Sequence, residues 1–292
     1  MFQTANSFYE NLLKQIFGES IRLTDSSSTS GGCIHNTVKL TTNRGNYFLK
    51  WNENISDDMF EKEGKGLKLL FQADEIKVPE VISFGELEDK KYLLMEYLEP
   101  SPQIAGYWED FGISLANLHR NHLNNKYGLD HDNYIGSLYQ KNNFRNSWID
   151  FFREERLEAQ LQLALKNGLV SSEFASRYQK FYNLLPNLLP ENPPSLLHGD
   201  LWNGNFMTGP DGKACLIDPA VYYGNREIEL AFTRMFGGFD SQFYSSYHDA
   251  YPLEPGFDLR VEIYNMYPSM VHVNLFGTSY LLGVESVLRR YL

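Results

Sequence analysis

The chain has 292 residues, too long for a small module and suited to two lobes sharing a cleft. Its 42% apolar content supports sizeable cores, and its formal charge of −11 disfavours nucleic acid or an anionic membrane as partner while suiting a cationic substrate. No run approaches the roughly 20 apolar residues of a membrane span, the N-terminus lacks the basic start and apolar core of a signal peptide, and two cysteines, Cys33 and Cys215, make no disulfide framework, so the expected compartment is the reducing cytoplasm.

Phe8, Leu12, Leu13 and Ile16 recur at helical spacing, and Gly18 closes that helix. Residues 21–24 can start a strand. Residues 25–32, Asp-Ser-Ser-Ser-Thr-Ser-Gly-Gly, form a small-residue turn whose amides could approach phosphate oxygens. The turn matches neither a P-loop nor the Gly-x-Gly-x-x-Gly loop of protein kinases, and by itself it reads as a plain hairpin turn. A strand through Val38 and Leu40, a turn at Asn43-Arg44-Gly45 and a strand over 47–51 follow, with Lys50 between apolar neighbours. Residues 59–71 are helical, with Phe60, Leu67, Leu70 and Phe71 on one face and Glu63 on that same face. A carboxylate facing inward is costly unless paired. Lys50 is the expected partner, and the pair would turn the lysine toward the α- and β-phosphates of a nucleotide.

Two more strands are expected over 78–82 and 92–98, joined by a charged turn at 88–91, which makes five strands in a small lobe with one main helix. The exit through Glu96, Tyr97 and Leu98 into Glu99-Pro-Ser-Pro102 reads as a hinge whose backbone would take an adenine edge. The expected division is 1–98 and 99–292. The remainder is mainly helical. Trp108, Phe111, Leu115 and Leu118 share a helical phase with His119, which reads as a structural residue. Residues 148–165 repeat the pattern, with Arg153, Glu154, Glu155 and Arg156 as a solvated face. Residues 174–188 give another helix, broken by Pro186. Asp130-His-Asp-Asn133 lacks calcium-loop spacing and reads as a turn. The pattern from 228 to 292 is helical and rich in Tyr and Phe.

The chemistry concentrates in the stretch from Leu196 to Ala220. Asp200, Asn205 and Asp218 suit phosphoryl transfer. An attacking hydroxyl needs a carboxylate to orient it and accept its proton, a role for Asp200. A nucleoside triphosphate needs Mg²⁺, a hard cation that takes oxygen ligands, a role for Asn205 and Asp218. Cys215, Leu216 and Ile217 read as a short buried strand delivering Asp218, with a hairpin turn at Asp211-Gly212 before it.

Several phrases carry a resemblance to a known family: Met59-Phe-Glu-Lys-Glu63, Leu115-Ala-Asn-Leu-His119, His198-Gly-Asp-Leu-Trp-Asn-Gly-Asn205, Ile217-Asp-Pro-Ala220, Met235-Phe-Gly-Gly-Phe239 and Phe276-Gly277. The chain resembles the fructosamine kinase, or ketosamine-3-kinase, family, which is related to aminoglycoside and choline kinases. The resemblance implies an α+β, bilobal protein-kinase-like fold with a five-stranded antiparallel small lobe and a larger helical lobe. It implies ATP and Mg²⁺ as cofactors, with phosphorylation of the sugar 3-hydroxyl of ketosamines, either small molecules or glycated protein lysines. The product then breaks down to free the amine, a deglycation. On the same footing Asp200 is the proton acceptor, Asn205 and Asp218 hold magnesium, Lys50 with Glu63 holds phosphates, Glu96, Tyr97 and Leu98 bind adenine, and Trp202 lies on the sugar side. The family phrase has an Asn where this chain has Val271, so neither Val271 nor His272 receives a substrate role. Family members with a cysteine at the position of Cys33 can form intersubunit disulfides, so the chain is expected as a monomer or a redox-linked homodimer. The alternatives are a kinase for another amino-alcohol or a nucleotide-binding protein without catalysis; Lys50, Glu63, Asp200, Asn205 and Asp218 together argue against the last.

Overall fold

The computed structural model describes residues 2–29, 35–56, 58–120 and 124–292, with 2–6 as backbone only. Cys33 and the glycine turn around it lie outside the described residues. The chain divides into two compact units: Met1–Gln103 with Met207–Ile217, and Ile104–Phe206 with Asp218–Leu292. No helix among the described residues is long and apolar enough to cross a membrane.

The first unit opens with helix α1 (Phe2–Phe17), followed by β1 (Leu23–Ser28), β2 (Asn36–Thr42), β3 (Gly45–Asn52), helix α2 (Met59–Ala73), β4 (Val81–Leu87) and β5 (Lys90–Glu96). The five strands form one antiparallel sheet in the order β1-β2-β3-β5-β4. Phe8, Leu12 and Leu13 of α1 pack with Val38, Leu40, Leu49, Tyr92 and Leu94 of the sheet, all buried. The expected helix and sheet are present, with four local differences. Residues 25–28 are not turn but strand, paired with β2 from Asp25↔Thr41 to Ser28↔Val38; ladder pairing overrides the poor strand propensity of serine. The fourth strand begins at Val81 instead of Val78, beyond Pro79, which has no N–H for a ladder. Phe71, placed by phase on the inner face of α2, is 53% exposed, because it lies in the last turn before the left-handed Asp74 that ends the helix. The turn between β4 and β5 is tighter than expected: only Glu88 and Asp89, both at positive φ, join the strands.

The second unit contains α3 (Tyr107–Arg120), a hairpin of β6 (Asn133–Ile135) and β7 (Leu138–Gln140), α4 (Trp148–Phe151), a π-helical segment (Phe152–Glu158), α5 (Ala159–Lys166), α6 (Ser172–Tyr182), α7 (Leu185–Leu188) and β8 (Ser195–Leu197). The hairpin of β9 (Phe206–Thr208) and β10 (Ala214–Leu216) follows, and its residues Met207–Ile217 belong to the first unit, where Cys215 bridges to Lys77. The second unit resumes with β11 (Tyr222–Gly224), α8 (Arg226–Thr233), α9 (Ser241–Ala250), α10 (Phe257–Tyr264), α11 (Met266–Phe276) and α12 (Leu281–Tyr291). Of the expected turn at 130–133, residues 130–131 bend but Asn133 already opens β6; Asp132 accepts the Asn142 amide at 2.7 Å and the Tyr139 hydroxyl at 2.6 Å.

The expected solvated face of 153–156 is overturned at Glu155 and Arg156, while the Arg153 and Glu154 side chains are 36% and 40% exposed. Glu155 is 4% exposed and Arg156 is fully buried. The π segment winds more slowly than an α-helix, so a 3.6-residue phase misplaces the residues within it. Arg156 lies against the Tyr222 ring at 3.9 Å and donates to Asn142 Oδ1 at 2.8 Å.

Helices α3 and α9 approach at Gly112, where a Cβ would come within 2.4 Å of the Phe243 carbonyl oxygen. Alanine would gain about 1 kcal/mol of helix propensity there. Overpacking against backbone, which cannot swing aside, costs about 1–3 kcal/mol. Gly112→Ala is therefore expected to lower the thermal midpoint by a few degrees; an unchanged or raised midpoint in thermal unfolding would contradict this packing.

Candidate active site

Among the described residues of the first unit, one ion pair is buried. Lys50 on β3 and Glu63 on α2 meet at 2.7 Å, with side chains 5% and 13% exposed. The expected pairing is thus present, and it explains a carboxylate on the apolar face of α2. At the end of β5, the Glu96 amide donates to the Glu80 carbonyl at 2.8 Å. The Glu96 carboxylate lies 3.6 Å from Lys77, Lys39 stands 4.1 Å over the Tyr97 ring, and Leu98 is buried.

The second unit builds the loop that carries Asp200. Strands β8 and β11 pair as Leu197↔Tyr222, so the chain beyond β8 emerges beside the residues after Asp218. Gly199 has φ +84°, and a Cβ there would sit 2.0 Å from the Ala220 carbonyl oxygen. Only glycine fits both the conformation and the close approach. Asn205 is buried and its amide nitrogen donates to Asp200 twice, at 2.7 Å to the backbone carbonyl and 2.8 Å to the carboxylate. That commitment of nitrogen leaves the Asn205 side-chain oxygen for another partner. Asp218 stands at φ +56°, a left-handed conformation that a short polar residue tolerates better than most. The Trp202 ring folds back over Gly204, where a Cβ would meet it at 2.4 Å. Asn203 donates to the Gly238 carbonyl at 3.1 Å, tying the loop to the segment after α8.

Beneath this loop is a support that the sequence reading missed. Glu229, in the middle of α8, accepts the Gly199 amide at 2.7 Å and the His198 amide at 3.2 Å. The same carboxylate takes His119 Nε2 at 2.8 Å, both side chains essentially without solvent, and His119 Nδ1 meets the Tyr247 hydroxyl at 2.8 Å. His119 is structural, as its helical phase suggests. The argument that found Glu63 does not reach Glu229: its apolar chain neighbours Ile228 and Leu230 lie on other faces of α8, and its helical phase is shared by Asn225, Arg226 and Thr233 as well as Phe232.

The electrostatics divide accordingly. Desolvation pushes the Asp200 carboxyl well above the ordinary range, the Asn205 amide opposes this, and the charges of Asp218 and Glu229 add to it. Glu229 moves the other way. Burial alone would raise it, but the bond and charge of His119, the charge of His198 and the Gly199 amide outweigh burial and lower it. Cys215 is buried and desolvation pushes its thiol up to about 12, so it is unreactive.

A carboxylate whose value is lowered on folding contributes stability above its unfolded value, and that contribution is lost as pH falls through the folded value. Glu229→Gln is expected to cost about 3–5 kcal/mol at neutral pH by leaving His119 unpaired. The gap between wild type and variant should narrow as pH drops below the ordinary value of 4.5. Urea midpoints measured across that range test this; a gap independent of pH would remove the ion pair from the account.

The fructosamine kinase family model matches residues 5–292. A Synechocystis protein named probable ketoamine kinase is 37% identical over 281 residues, covering 96% of this chain and 94% of that one. The chloroplastic protein-ribulosamine 3-kinase of Oryza sativa subsp. indica is 36% identical over 278 residues, covering 94% and 81%. The crystal structure of a Haemophilus somnus protein described as a fructosamine-3-kinase aligns with a TM-score of 0.88 at 30% identity, covering 100% and 99%. An aminoglycoside phosphotransferase, solved with AMP-PNP and hygromycin B, aligns over 96% of this chain and 97% of that one with a TM-score of 0.64 at 14% identity, a likeness of fold alone. The five-stranded sheet and helical remainder are those of a protein-kinase-like fold. With the family match running nearly end to end and the Asp200 loop assembled, the chain belongs to the fructosamine kinase family and is an ATP-dependent kinase.

Proposed function

We propose that the protein transfers the γ-phosphoryl group of ATP to the sugar 3-hydroxyl of a ketosamine, and that breakdown of the product frees the amine. The observation that carries this reading is the Asp200 carboxylate held by the Asn205 amide at 2.8 Å on a loop pinned by Glu229. The relatives bearing ketoamine and ribulosamine kinase names support the choice of acceptor.

Asp200 orients the sugar hydroxyl and takes its proton as the oxygen–phosphorus bond forms. The bond from the γ-phosphorus to the β-phosphate oxygen breaks, ADP leaves, and the proton passes from Asp200 to water. Positioning and charge supply most of the rate in such transfers. Lys50, oriented by Glu63, would hold phosphate oxygens. The Glu96 amide is already committed to Glu80, so the Glu96 carbonyl and the Leu98 backbone are the groups left for adenine. The oxygens of Asn205 and Asp218 form a hard donor set that fits Mg²⁺, with the Asn205 nitrogen turned to Asp200. Mg²⁺ held there would neutralise charge on the transferring group. Trp202 offers a flat apolar face to the sugar. The two units correspond to the two lobes of a kinase.

The test is an ADP-release assay with Mg-ATP and fructose- or ribulose-derived amines, beside choline and an aminoglycoside. Wild type should release ADP with ketosamines only, and the product should carry phosphate on the sugar 3-oxygen. Asp200→Ala should lower kcat by about 10²–10⁴. Lys50→Met should chiefly raise the KM for ATP. Turnover confined to choline or the aminoglycoside would overturn the acceptor, and undiminished turnover in Asp200→Ala would overturn the mechanism.

A further inference from the structure

Five rings form a continuous ladder on the second unit, outward from the Asp200 loop. Trp202 meets Phe236 at 5.7 Å between centroids, Phe236 meets His272 at 5.1 Å, and His272 meets Phe276 at 5.5 Å and Tyr280 at 5.0 Å. Phe236 is 45% exposed and Phe276 is 62% exposed. A contiguous aromatic surface left to water marks a binding site more often than chance.

The backbone under Phe236 is also strained. It stands at φ 56°, ψ 38°, a left-handed conformation, and is followed by Gly237 and Gly238, both at positive φ. Glycine would serve there without cost, yet the chain holds a phenylalanine, at a penalty of about 1–2 kcal/mol. What the position gains is a ring that bridges Trp202 and His272.

The chemistry of the ladder selects its ligand. His272 Nδ1 lies 2.7 Å from the Pro268 carbonyl, so Nδ1 carries the proton and donates. Burial lowers the His272 imidazole below its usual value, opposed by that bond, and the ring is neutral at pH 7. Its Nε2 is then an acceptor. Ring faces, a neutral imidazole acceptor and a chain of net charge −11 attract a cation and offer nothing to an anion.

We infer that Phe236, His272, Phe276 and Tyr280 form the amine subsite of the acceptor, holding the secondary ammonium of a ketosamine by cation–π contact and by its N–H bond to His272 Nε2, while Trp202 faces the sugar. This rests on the ketosamine reading. The order of the ladder matches the order of the substrate: Trp202 is two residues from Asp200, where the hydroxyl reacts, and Phe276 and Tyr280 lie at the outer end, where the amine continues into a side chain.

The experiment compares fructosyl-lysine with its ether isostere, in which oxygen replaces the ammonium nitrogen, in wild type, Phe276→Ala, Phe236→Gly and a control at the exposed Leu282, Leu282→Ala. Wild type should prefer the ammonium compound by about tenfold or more in kcat/KM, in line with a desolvated cation–π contact. Phe276→Ala and Phe236→Gly should raise its KM about tenfold, with a much smaller fall in kcat, and erase the preference; Phe276→Tyr should restore it and Leu282→Ala should match wild type. If wild type turns over fructosyl-lysine but the ring variants keep its KM, or lose both compounds equally, this subsite is wrong and the acceptor stands. If wild type turns over no ketosamine, the acceptor assignment fails and the subsite falls with it.

Discussion

The loop that carries Asp200 depends on one buried carboxylate. Glu229 accepts the amides of His198 and Gly199 and is itself neutralised by His119. A charge this deep is costly unless every lone pair is used and a counter-charge is close. Here the counter-charge arrives from α3, and the Tyr247 hydroxyl on α9 fixes the far side of the imidazole. Three helices are thereby locked to the two peptide groups that immediately precede Asp200. Those amides have no strand to pair with, since the chain turns sharply at Gly199, so a side-chain acceptor is what keeps them from being buried without partners.

Around that anchor the second unit concentrates its irregular backbone. Gly199, Asp218 and Phe236 all adopt positive φ, and each lies beside a group implicated in chemistry or binding. Strain of this kind persists only where surrounding structure over-determines it. At Gly199 the constraint is the Ala220 carbonyl, at Asp218 the exit from a short buried strand, and at Phe236 the rings on either side. The π segment adds a fourth irregularity, carrying Arg156 inward onto the Tyr222 ring in the strand that pairs with β8. The loop is therefore held in place by packing from behind.

Much of this was legible from residue order because the signals were local. Lys50 and Glu63 could be matched since an inward carboxylate on an apolar helix demands a cation. The Asp200, Asn205 and Asp218 spacing was readable because one loop and one hairpin hold all three. The hairpin turn at Asp211-Gly212 was legible for the same reason. What escaped was non-local. Glu229 makes its bonds to residues far back in the chain, and nothing within a helical turn of it names them. Glu155 and Arg156 were assigned to solvent because a π segment changes the angular step without changing composition. Phe71 kept the right phase but lay in the last turn of its helix.

The sequence by itself determined the class of chemistry, the kinase-like layout and the residues of the loop, because periodicity, turn residues and the oxygen donors needed for phosphoryl transfer are written in short stretches of chain. Only the tertiary structure decided which carboxylate holds that loop in place, that Asn205 turns its nitrogen to Asp200 and so keeps its oxygen free, and that Trp202, Phe236, His272, Phe276 and Tyr280 become one surface. Each of these depends on distance and direction between segments far apart in the chain. Such distances are fixed by packing and hydrogen-bond satisfaction across the whole unit, which no local pattern of residues contains.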